Sequence, residues 1–316
     1  MSPIGLGLAA LGRPAYVNLR HDTDVGAAHD VESMRARCHE VLDVAREAGI
    51  RYVDAARSYG LAEEFLATWL EAREVDPSEV TVGSKWGYEY TGGWRLDAEV
   101  HERKDHSVGH LRHQWRESRG LLGPYLDIYQ IHSATFETGV LDDRGVLDEL
   151  ARIREQGVSV GVSVSGRDQK DLVRRSMEVE YDGAFLFTSV QATWNLLERS
   201  AEPALDEAAH EGIGVIVKEA LANGRLTERC PDPDLLELLQ DAATAGGSTI
   251  DATVMAAVLA RGWSDVVLSG AATPEQLQSN VRAIEVDWSD DLDRRTAGFV
   301  EDPATYWATR STLPWT

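Results

Sequence analysis

Four polar side chains lie at or just after the ends of predicted strands, where they could act on one substrate. They are, in chain order, Asp54, Tyr59, Lys85 and His132. The carboxyl ends of parallel strands meet at one edge of a sheet, so we expect these side chains to lie close together. A carboxylate, a phenol, an ammonium and an imidazole form a set suited to moving a proton to or from an oxygen atom.

The reduction of a carbonyl group fits this set. Hydride addition to C=O builds negative charge on the oxygen, which therefore needs a proton donor and electrostatic stabilisation. We expect Tyr59 to be the donor. A free phenol has a pKa of about 10, and the ammonium of Lys85 should lower that pKa, while Asp54 keeps the ammonium charged. His132 would orient the substrate oxygen.

Each of these residues, taken alone, also has a structural explanation. A strand-end aspartate often caps a turn, a tyrosine often packs in the core, and a histidine often has a structural hydrogen bond. Lys85 is different, because a lysine that ends a buried strand is costly unless it is paired. Asp54 on the neighbouring strand is the natural partner, and the clustering of all four favours a functional set.

The elements that would position this set alternate along the chain. Apolar β-rich runs recur at regular intervals and mostly precede segments with helical periodicity, which indicates a parallel sheet with crossover helices. The predicted strands are Ile4–Ala9, Arg51–Asp54, Val80–Ser84, Leu126–Ile131, Val158–Val164, Ala184–Val190, Ile213–Val217 and Val266–Ser269. The predicted helices include Val31–Ala48, Ala62–Ala72, Val146–Glu155, Asp168–Met177, Glu202–Glu211, Asp234–Ala245 and Ile250–Ala260. We predict an α/β fold, a (β/α)8 TIM barrel that forms a single domain over residues 1–316.

Composition narrows the compartment and the partners. Cys38 and Cys230 are far apart in sequence and form neither a metal-ligand spacing nor a disulfide framework, so a reducing, cytoplasmic location is expected. No apolar stretch approaches the roughly 18 residues of a membrane helix. The net charge of −22 opposes nucleic acid and anionic membranes. The expected partner is a small-molecule carbonyl or alcohol substrate, and the oligomeric state stays open.

The segment Gly5–Ala10 satisfies the pattern G-x-G-x-x-A of a Rossmann nucleotide site. That fingerprint must close a strand and open a helix, whereas these glycines lie within the predicted strand and Arg13-Pro14 follows at once. Small residues in a tight strand explain the pattern better.

The four residues closely resemble the Asp, Tyr, Lys and His tetrad of the aldo-keto reductase superfamily, which lies at these strand ends. The resemblance covers nearly the whole chain, and the other segments that carry it are Gly161–Ser163, Gln191, Trp194–Arg199 and Gly270–Asn280. It implies an NAD(P)H-dependent oxidoreductase that reduces an aldehyde or ketone to an alcohol, or runs in reverse. It also implies that Tyr59 is the general acid/base.

The resemblance further implies a nicotinamide dinucleotide bound across the barrel mouth without a Rossmann fold. By matching position, Ser163 and Gln191 would hold the carboxamide, and Trp194 would stack on the nicotinamide. The other implied cofactor residues are Gly7, Leu221, Gly270, Ala271, Thr273, Gln276 and Asn280.

The chain departs from the family pattern at two places near the implied cofactor. Val164 stands where many members have Asn, which removes one expected hydrogen bond to the carboxamide. Glu219 and the following alanine replace the usual Ser-Pro. A carboxylate near the pyrophosphate is unfavourable unless Lys218 or Arg225 compensates it.

A third departure concerns the choice of cofactor. Members that bind the 2′-phosphate commonly place cations in the segment Ser269–Asn280, and this chain has none there. An arginine on a phosphate is a strong contact, so its absence should show in the cofactor preference. The resemblance still implies NADPH, with NADH as the alternative.

Aromatic residues indicate where the substrate would bind. Trp86 and Tyr88 follow Lys85, and Trp307 lies in the segment 302–316, which is expected to fold over the catalytic rim. They predict an aromatic-lined pocket for an apolar or ring-shaped carbonyl compound.

Two other functions stay open at this point. A nucleotide-binding regulatory subunit could keep the barrel and cofactor and act through a partner, although no partner-binding tail is evident. A metal-dependent hydrolase would need clustered histidines and carboxylates at strand ends, where only His132 is found, so no metal is predicted.

Overall fold

The chain folds, in a computed structural model, around a closed barrel of eight parallel strands. The structure describes residues 2–19, 23–24, 26 and 28–316. The barrel strands are β1 (Ile4–Gly7), β2 (Tyr52–Asp54), β3 (Thr81–Trp86), β4 (Leu126–Ala134), β5 (Ser159–Val164), β6 (Ser189–Thr193), β7 (Gly214–Lys218) and β8 (Val266–Ser269). Strand β1 pairs with both β2 and β8 and so closes the ring. The predicted (β/α)8 barrel is confirmed.

Helices cover the outside of the barrel and its rim. They are α1 (Val31–Glu47), α2 (Ala62–Ala72), α3 (Val108–Leu122), α4 (Arg144–Glu155), α5 (Gln169–Met177), α6 (Glu202–His210), α7 (Pro233–Ala245), α8 (Ile250–Leu259), α9 (Pro274–Val281), α10 (Asp290–Thr296) and α11 (Pro303–Ser311). Asp30, Ser107 and Asp143 cap α1, α3 and α4 by accepting a backbone N–H from the first turn.

The alternation of side chains along a strand such as β5 gives it one face toward the core and one face toward the barrel interior. On β5, Val160, Val162 and Val164 are fully buried in the main core. Gly161 and Ser163 alternate with them and so project from the opposite face of the strand. One face of each strand therefore builds the core, and the other is free to carry polar side chains into the barrel.

One predicted strand differs from the structure by more than the position of its ends. The run Ala184–Val190 is split, because Ala184–Phe185 pairs antiparallel with Glu180–Tyr181 and the barrel strand begins only at Ser189. A second hairpin, formed by Tyr88–Tyr90 and Glu102–Lys104, was not predicted from the sequence. A continuous apolar run does not reveal where a strand breaks.

The segment 302–316 lies against the loop that follows β1, as expected. The backbone N–H of Tyr16 donates to the carbonyl of Thr316, and the N–H of Thr316 donates to the carbonyl of Tyr16, both at 3.1 Å. Val17 and Trp315 form an antiparallel bridge. Two segments almost a full chain length apart therefore share one side of the barrel mouth.

In the described part of the chain, no single helix is both long and apolar enough to span a membrane. Only α7 and α8 taken together pass that test, and the chain bends by 87° between them.

A glycine contact fixes the loop that carries Tyr59. A Cβ on Gly12 would lie 2.2 Å from the carbonyl oxygen of Tyr59 and 2.4 Å from the Cβ of Ala62. The carbonyl of Gly12 in turn accepts the N–H of Leu61 at 2.7 Å. Since Gly60 also has a positive φ of 60°, the loop after β1 and the loop after β2 can pack this closely only with glycine at both positions.

We predict that Gly12→Ala destabilises the protein by about 1–3 kcal/mol, because the added methyl group must displace the Tyr59 loop. Urea unfolding would measure the change in the free energy of unfolding. Gly262→Ala is the matched control, since a Cβ there meets open space. Equal stability of the two variants would contradict this prediction.

Candidate active site

The structure brings the four predicted catalytic residues together at the carboxyl ends of β2, β3 and β4. The ammonium of Lys85 donates to Asp54 Oδ2, to the carbonyl of Ala55 at 3.0 Å, and to the hydroxyl of Tyr59 at 3.4 Å. The hydroxyl of Tyr59 is 3.5 Å from His132 Nε2. Lys85 and Asp54 are both buried, so their charges face each other away from bulk solvent.

Both carboxylate oxygens of Asp54 accept hydrogen bonds. Its Oδ1 accepts a hydrogen bond from Gln191 Nε2 at 2.9 Å and one from the hydroxyl of Tyr52 at 3.4 Å. Its Oδ2 accepts from Lys85. Buried charges are stable only when their remaining hydrogen-bonding capacity is filled, and this carboxylate meets that condition. The lysine is consequently held in one position beneath Tyr59.

The phenol of Tyr59 keeps its proton at neutral pH. Burial raises the pKa of Tyr59 well above its usual value of 10.0, and the charge of Asp54 raises it further, whereas Arg13 acts in the opposite direction. The expected net lowering of this pKa is wrong, because burial and the charge of Asp54 raise it. The ammonium is already paired with Asp54, so little net positive charge remains to offset the loss of hydration.

His132 is neutral in this environment. Burial lowers the pKa of His132 well below 6.5, and the cations Lys85 and Lys218 lower it further. Its Nδ1 is 3.4 Å from the hydroxyl of Ser58, and its Nε2 faces Tyr59. A neutral imidazole carries one N–H, so His132 can donate a hydrogen bond to an oxygen that sits beside the phenol.

Arg13 is a site residue that sequence reasoning missed. It is buried, and it donates to the carbonyl of Ser58 at 2.9 Å and to Glu102 at 2.6 Å. Its guanidinium lies 5.2 Å from the centroid of the Tyr59 ring. The one signal in the sequence is a charged residue that interrupts an apolar loop just after the first strand.

A cavity of about 680 Å³ opens above the tetrad at this end of the barrel. Asp54, Tyr59 and His132 line it, whereas Lys85 lies behind them. The predicted cofactor residues that also line it are Gly7, Gln191, Leu221, Gly270, Ala271, Gln276 and Asn280. Tyr88 and Trp307 line it too, as predicted for the substrate pocket.

Besides Lys85, four predicted site residues lie outside the cavity lining. Trp194 is fully buried behind the strands, edge-on to Trp263 at 5.8 Å between ring centroids, so the prediction that it stacks on the nicotinamide is wrong. Trp86 is fully buried and contacts His106, so its assignment to the substrate pocket is wrong as well. Trp86 follows Lys85 on β3, so strand alternation turns its indole away from the cavity, whereas Trp194 lies just beyond the end of β6.

The two others are Ser163 and Thr273. Thr273 caps α9, where its hydroxyl accepts the N–H of Gln276 at 3.3 Å. Ser163 lies just behind the wall, where it accepts a hydrogen bond from Lys218 at 2.9 Å. Ser163 therefore stays near the cavity, and Thr273 supports a neighbouring residue that lines it.

The carboxylate of Glu219 has a cationic partner, but neither of those expected. Arg310 from α11 donates to it at 2.5 Å. Arg225 pairs with Glu301 instead, and Lys218 turns to serine hydroxyls. The segment 302–316 thus supplies the compensating charge, which spacing along the sequence could not indicate.

The far end of the cavity, beside α8 and α9, is acidic. Asp24, Glu228, Asp251 and Glu275 line it, and the guanidinium of Arg229 pairs with Asp24 at 2.9 Å. Burial raises the pKa of Asp251 to about 6, and the charge of Glu228 contributes. Two neighbouring carboxylates at this end therefore disfavour an additional negative charge.

Two buried acceptors test whether the cavity suits a polar cofactor. Asn223 Oδ1 and Asn280 Oδ1 have no hydrogen-bond partner among the described residues, and both residues line the cavity. Buried acceptors are normally satisfied, so a bound molecule with hydroxyl or amide donors would fit here. No group of three or more His, Cys, Asp or Glu within the described ranges could hold a metal ion.

Comparison with known proteins gives a clear match. A family model described as the Aldo/keto reductase family matches residues 3–294. The NADH-specific methylglyoxal reductase of Escherichia coli (strain K12) is 25% identical over 321 residues, which cover 92% of this chain and 92% of that protein. The D-threo-aldose 1-dehydrogenase of a Pseudomonas species is 26% identical over 216 residues, or 61% of this chain and 62% of that protein.

Solved structures agree in fold. A glycerol dehydrogenase from Gluconobacter oxydans has a TM-score of 0.69 at 21% identity, with 94% of this chain and 90% of that chain covered. An aldo-keto reductase from Bacillus halodurans, in its holo form, has a TM-score of 0.67 at 21% identity, with 95% and 92% covered. At such identities the likeness shows the shared barrel.

The Arg310–Glu219 pair predicts a pH-dependent stability. Burial acts to raise the pKa of Glu219, but the charge and hydrogen bond of Arg310 outweigh it and hold this pKa below 4.5. The pair therefore stabilises the fold above the unfolded-state pKa of about 4.3, and this stabilisation is lost as the pH falls through the folded-state pKa.

Because about 30% of the Arg310 side chain is exposed, we expect this ion pair to contribute less to the free energy of unfolding than a fully buried pair would. Arg310→Met should lower the free energy of unfolding by about 2 kcal/mol at about pH 7, and by less at about pH 4. Urea unfolding at both pH values would measure it. The double variant Arg310→Met/Glu219→Gln should recover most of the loss; the same loss at both pH values would refute the pairing.

Proposed function

The chain belongs to the aldo/keto reductase family, and from this premise we propose how its residues divide the work of carbonyl reduction. As a member it is a nicotinamide-dependent oxidoreductase that reduces an aldehyde or ketone to an alcohol, or catalyses the reverse oxidation. Its substrates are small carbonyl or alcohol compounds.

Tyr59 gives the proton to the substrate oxygen. Its raised pKa keeps the phenol protonated until negative charge develops on that oxygen. The nicotinamide, when bound, supplies the hydride. The ammonium of Lys85, 3.4 Å from the phenol oxygen, stabilises the phenolate that remains after proton transfer.

His132 and Asp54 support this transfer in different ways. The neutral imidazole donates a hydrogen bond to the carbonyl oxygen and so fixes it beside the phenol. Asp54 keeps Lys85 charged and aimed. The observation that carries the proposal is the continuous contact from carboxylate to ammonium to phenol to imidazole at the wall of one cavity.

The nicotinamide end of the cofactor is proposed to lie near Ser163 and Gln191. Gln191 lines the cavity beside the tetrad and donates one amide N–H to Asp54, and its oxygen can accept a hydrogen bond from a carboxamide. The cofactor then extends past Leu221 and Gly270 toward Gln276 and the acidic end.

For the cofactor we propose NADH rather than the NADPH that the family resemblance favoured. A 2′-phosphate at the acidic end would meet the carboxylates of Asp251 and Glu228. The nearby arginine, Arg229, is already paired with Asp24. A carboxylate can instead accept a hydrogen bond from a ribose 2′-hydroxyl, which is how acidic residues select NAD in other dinucleotide sites.

The substrate is proposed to be a compact carbonyl compound with a flat or apolar part. Tyr88, Trp307 and Trp315 line the cavity, and the Tyr88 ring lies 5.0 Å from that of His132. Aromatic faces next to a polar centre suit a small molecule whose carbonyl is its main polar group.

We predict that Tyr59→Phe lowers turnover by about 10²-fold or more, because the proton donor is lost. The Kd for NADH should stay within about twofold, since the ring itself is retained. Steady-state reduction of methylglyoxal, which one relative reduces according to its name, would measure turnover. Tyr181→Phe, in the remote hairpin, is the control; a Tyr59→Phe variant with the control's rate would exclude this role.

We predict that Asp251→Asn combined with Glu228→Gln raises the affinity for NADPH relative to NADH by at least about tenfold, because two repelling charges are removed. In the unmodified protein, the discrimination should weaken as the pH falls below about 6, where Asp251 takes up a proton. Titration with each cofactor would measure both effects. Asp206→Asn in α6 removes a charge elsewhere and should change neither the ratio of the two affinities nor its dependence on pH.

A further inference from the structure

Lys218 places a cation in the wall of the cavity. It ends β7, lines the cavity, and donates to the hydroxyl of Ser163 at 2.9 Å and to that of Ser165 at 2.8 Å. An ammonium has three N–H donors. The serines take two of them, so one remains for a bound molecule.

The charge of Lys218 is not cancelled by its neighbours. The charged and titratable groups that act on it are Glu219, Lys85, Arg310, Asp54 and His132. Glu219 is paired with Arg310, and Asp54 is paired with Lys85. Lys218 itself forms no ion pair within the described part of the chain, and it contacts hydroxyl groups instead.

Lys218 also changes its charge near neutral pH. Burial lowers the pKa of Lys218 to about 7, with Glu219 opposing that shift and with Lys85 and Arg310 adding to it. The ammonium is therefore present below about pH 7 and is progressively lost above it. An ordinary lysine has a pKa of about 10.4 and stays charged in this range. A change in pH can therefore remove the charge of Lys218 while the side chain itself stays in place.

We propose that Lys218 contacts the nicotinamide end of the bound cofactor and favours its reduced form over its oxidised form. The inference rests on the proposed position of the carboxamide at Ser163 and Gln191. Lys218 is hydrogen-bonded to the first of these residues, so a carboxamide held there lies within reach of the ammonium.

The preference follows from charge. The oxidised nicotinamide ring carries a positive charge and the reduced ring carries none, so an unpaired ammonium nearby repels only the oxidised ring. The free N–H of Lys218 also offers the carboxamide oxygen a hydrogen-bond donor. Because NAD⁺ and NADH share their adenosine half, the acidic far end of the cavity affects both equally, and the ratio of their affinities isolates the nicotinamide end.

The test is the ratio of Kd for NAD⁺ to Kd for NADH, followed by tryptophan fluorescence from about pH 6 to about pH 8.5. In the unmodified protein this ratio should fall by at least about tenfold across that range, because the ammonium loses its proton. Lys218→Met should have a low ratio that does not vary with pH. Lys218→Arg should keep a high ratio throughout, because a guanidinium stays charged.

Lys170→Met, on the outer helix α5, is the matched control and should behave as the unmodified protein does. A ratio that is constant with pH in the unmodified protein, or unchanged in Lys218→Met, would overturn the inference. Ser163→Ala separates this failure from failure of the proposed site. If Lys218→Met leaves the ratio unchanged but Ser163→Ala weakens the binding of both cofactor forms, the proposed carboxamide position is retained and only the role of Lys218 is wrong. If Ser163→Ala weakens the binding of neither form, the proposed carboxamide position is wrong.

Discussion

The buried ion pair between Lys85 and Asp54 is the interaction on which the site depends. Burying an ammonium and a carboxylate is costly, and their attraction offsets that cost only when other hydrogen bonds satisfy both groups. Here the carbonyl of Ala55 accepts from the lysine, while Gln191 and Tyr52 donate to the aspartate. Asp54 on β2, Lys85 on β3 and Gln191 on β6 belong to different strands, so the site requires the closed barrel. The pair then fixes an ammonium under a phenol that keeps its proton.

The rim that surrounds the pair is built from segments far apart in the chain. Gly12 packs against the loop of Tyr59, and Arg13 links that loop to the hairpin through Glu102. The segment 302–316 closes the same side, where Trp315 stacks on His101 at 4.5 Å and Arg310 neutralises Glu219. Loops held by several such contacts keep a phenol in position more firmly than a free loop would.

Charge is distributed unevenly along the cavity. Near the tetrad each carboxylate has a cationic partner and Lys218 adds a further positive charge, whereas the far end carries Glu228 and Asp251 beside the Arg229–Asp24 pair. A dinucleotide presents a nicotinamide at one end and a ribose 2′-position at the other. Under the two proposals made above, the ends of the cavity bear on different properties of the cofactor: its redox state at Lys218 and its phosphorylation at Asp251.

The sequence by itself determined the barrel and the meeting of Asp54, Tyr59, Lys85 and His132 at its rim. Alternating β and α segments allow few topologies, and parallel strands bring their carboxyl ends to one rim, so strand-end residues such as Asp54, Lys85 and His132 had to meet. Only the tertiary structure decided which way Trp194 faces, that Arg310 rather than Lys218 neutralises Glu219, and that burial outweighs Lys85 at the phenol. Local pattern specifies periodicity and strand ends, whereas ion pairing and desolvation depend on contacts between residues that are distant in the chain.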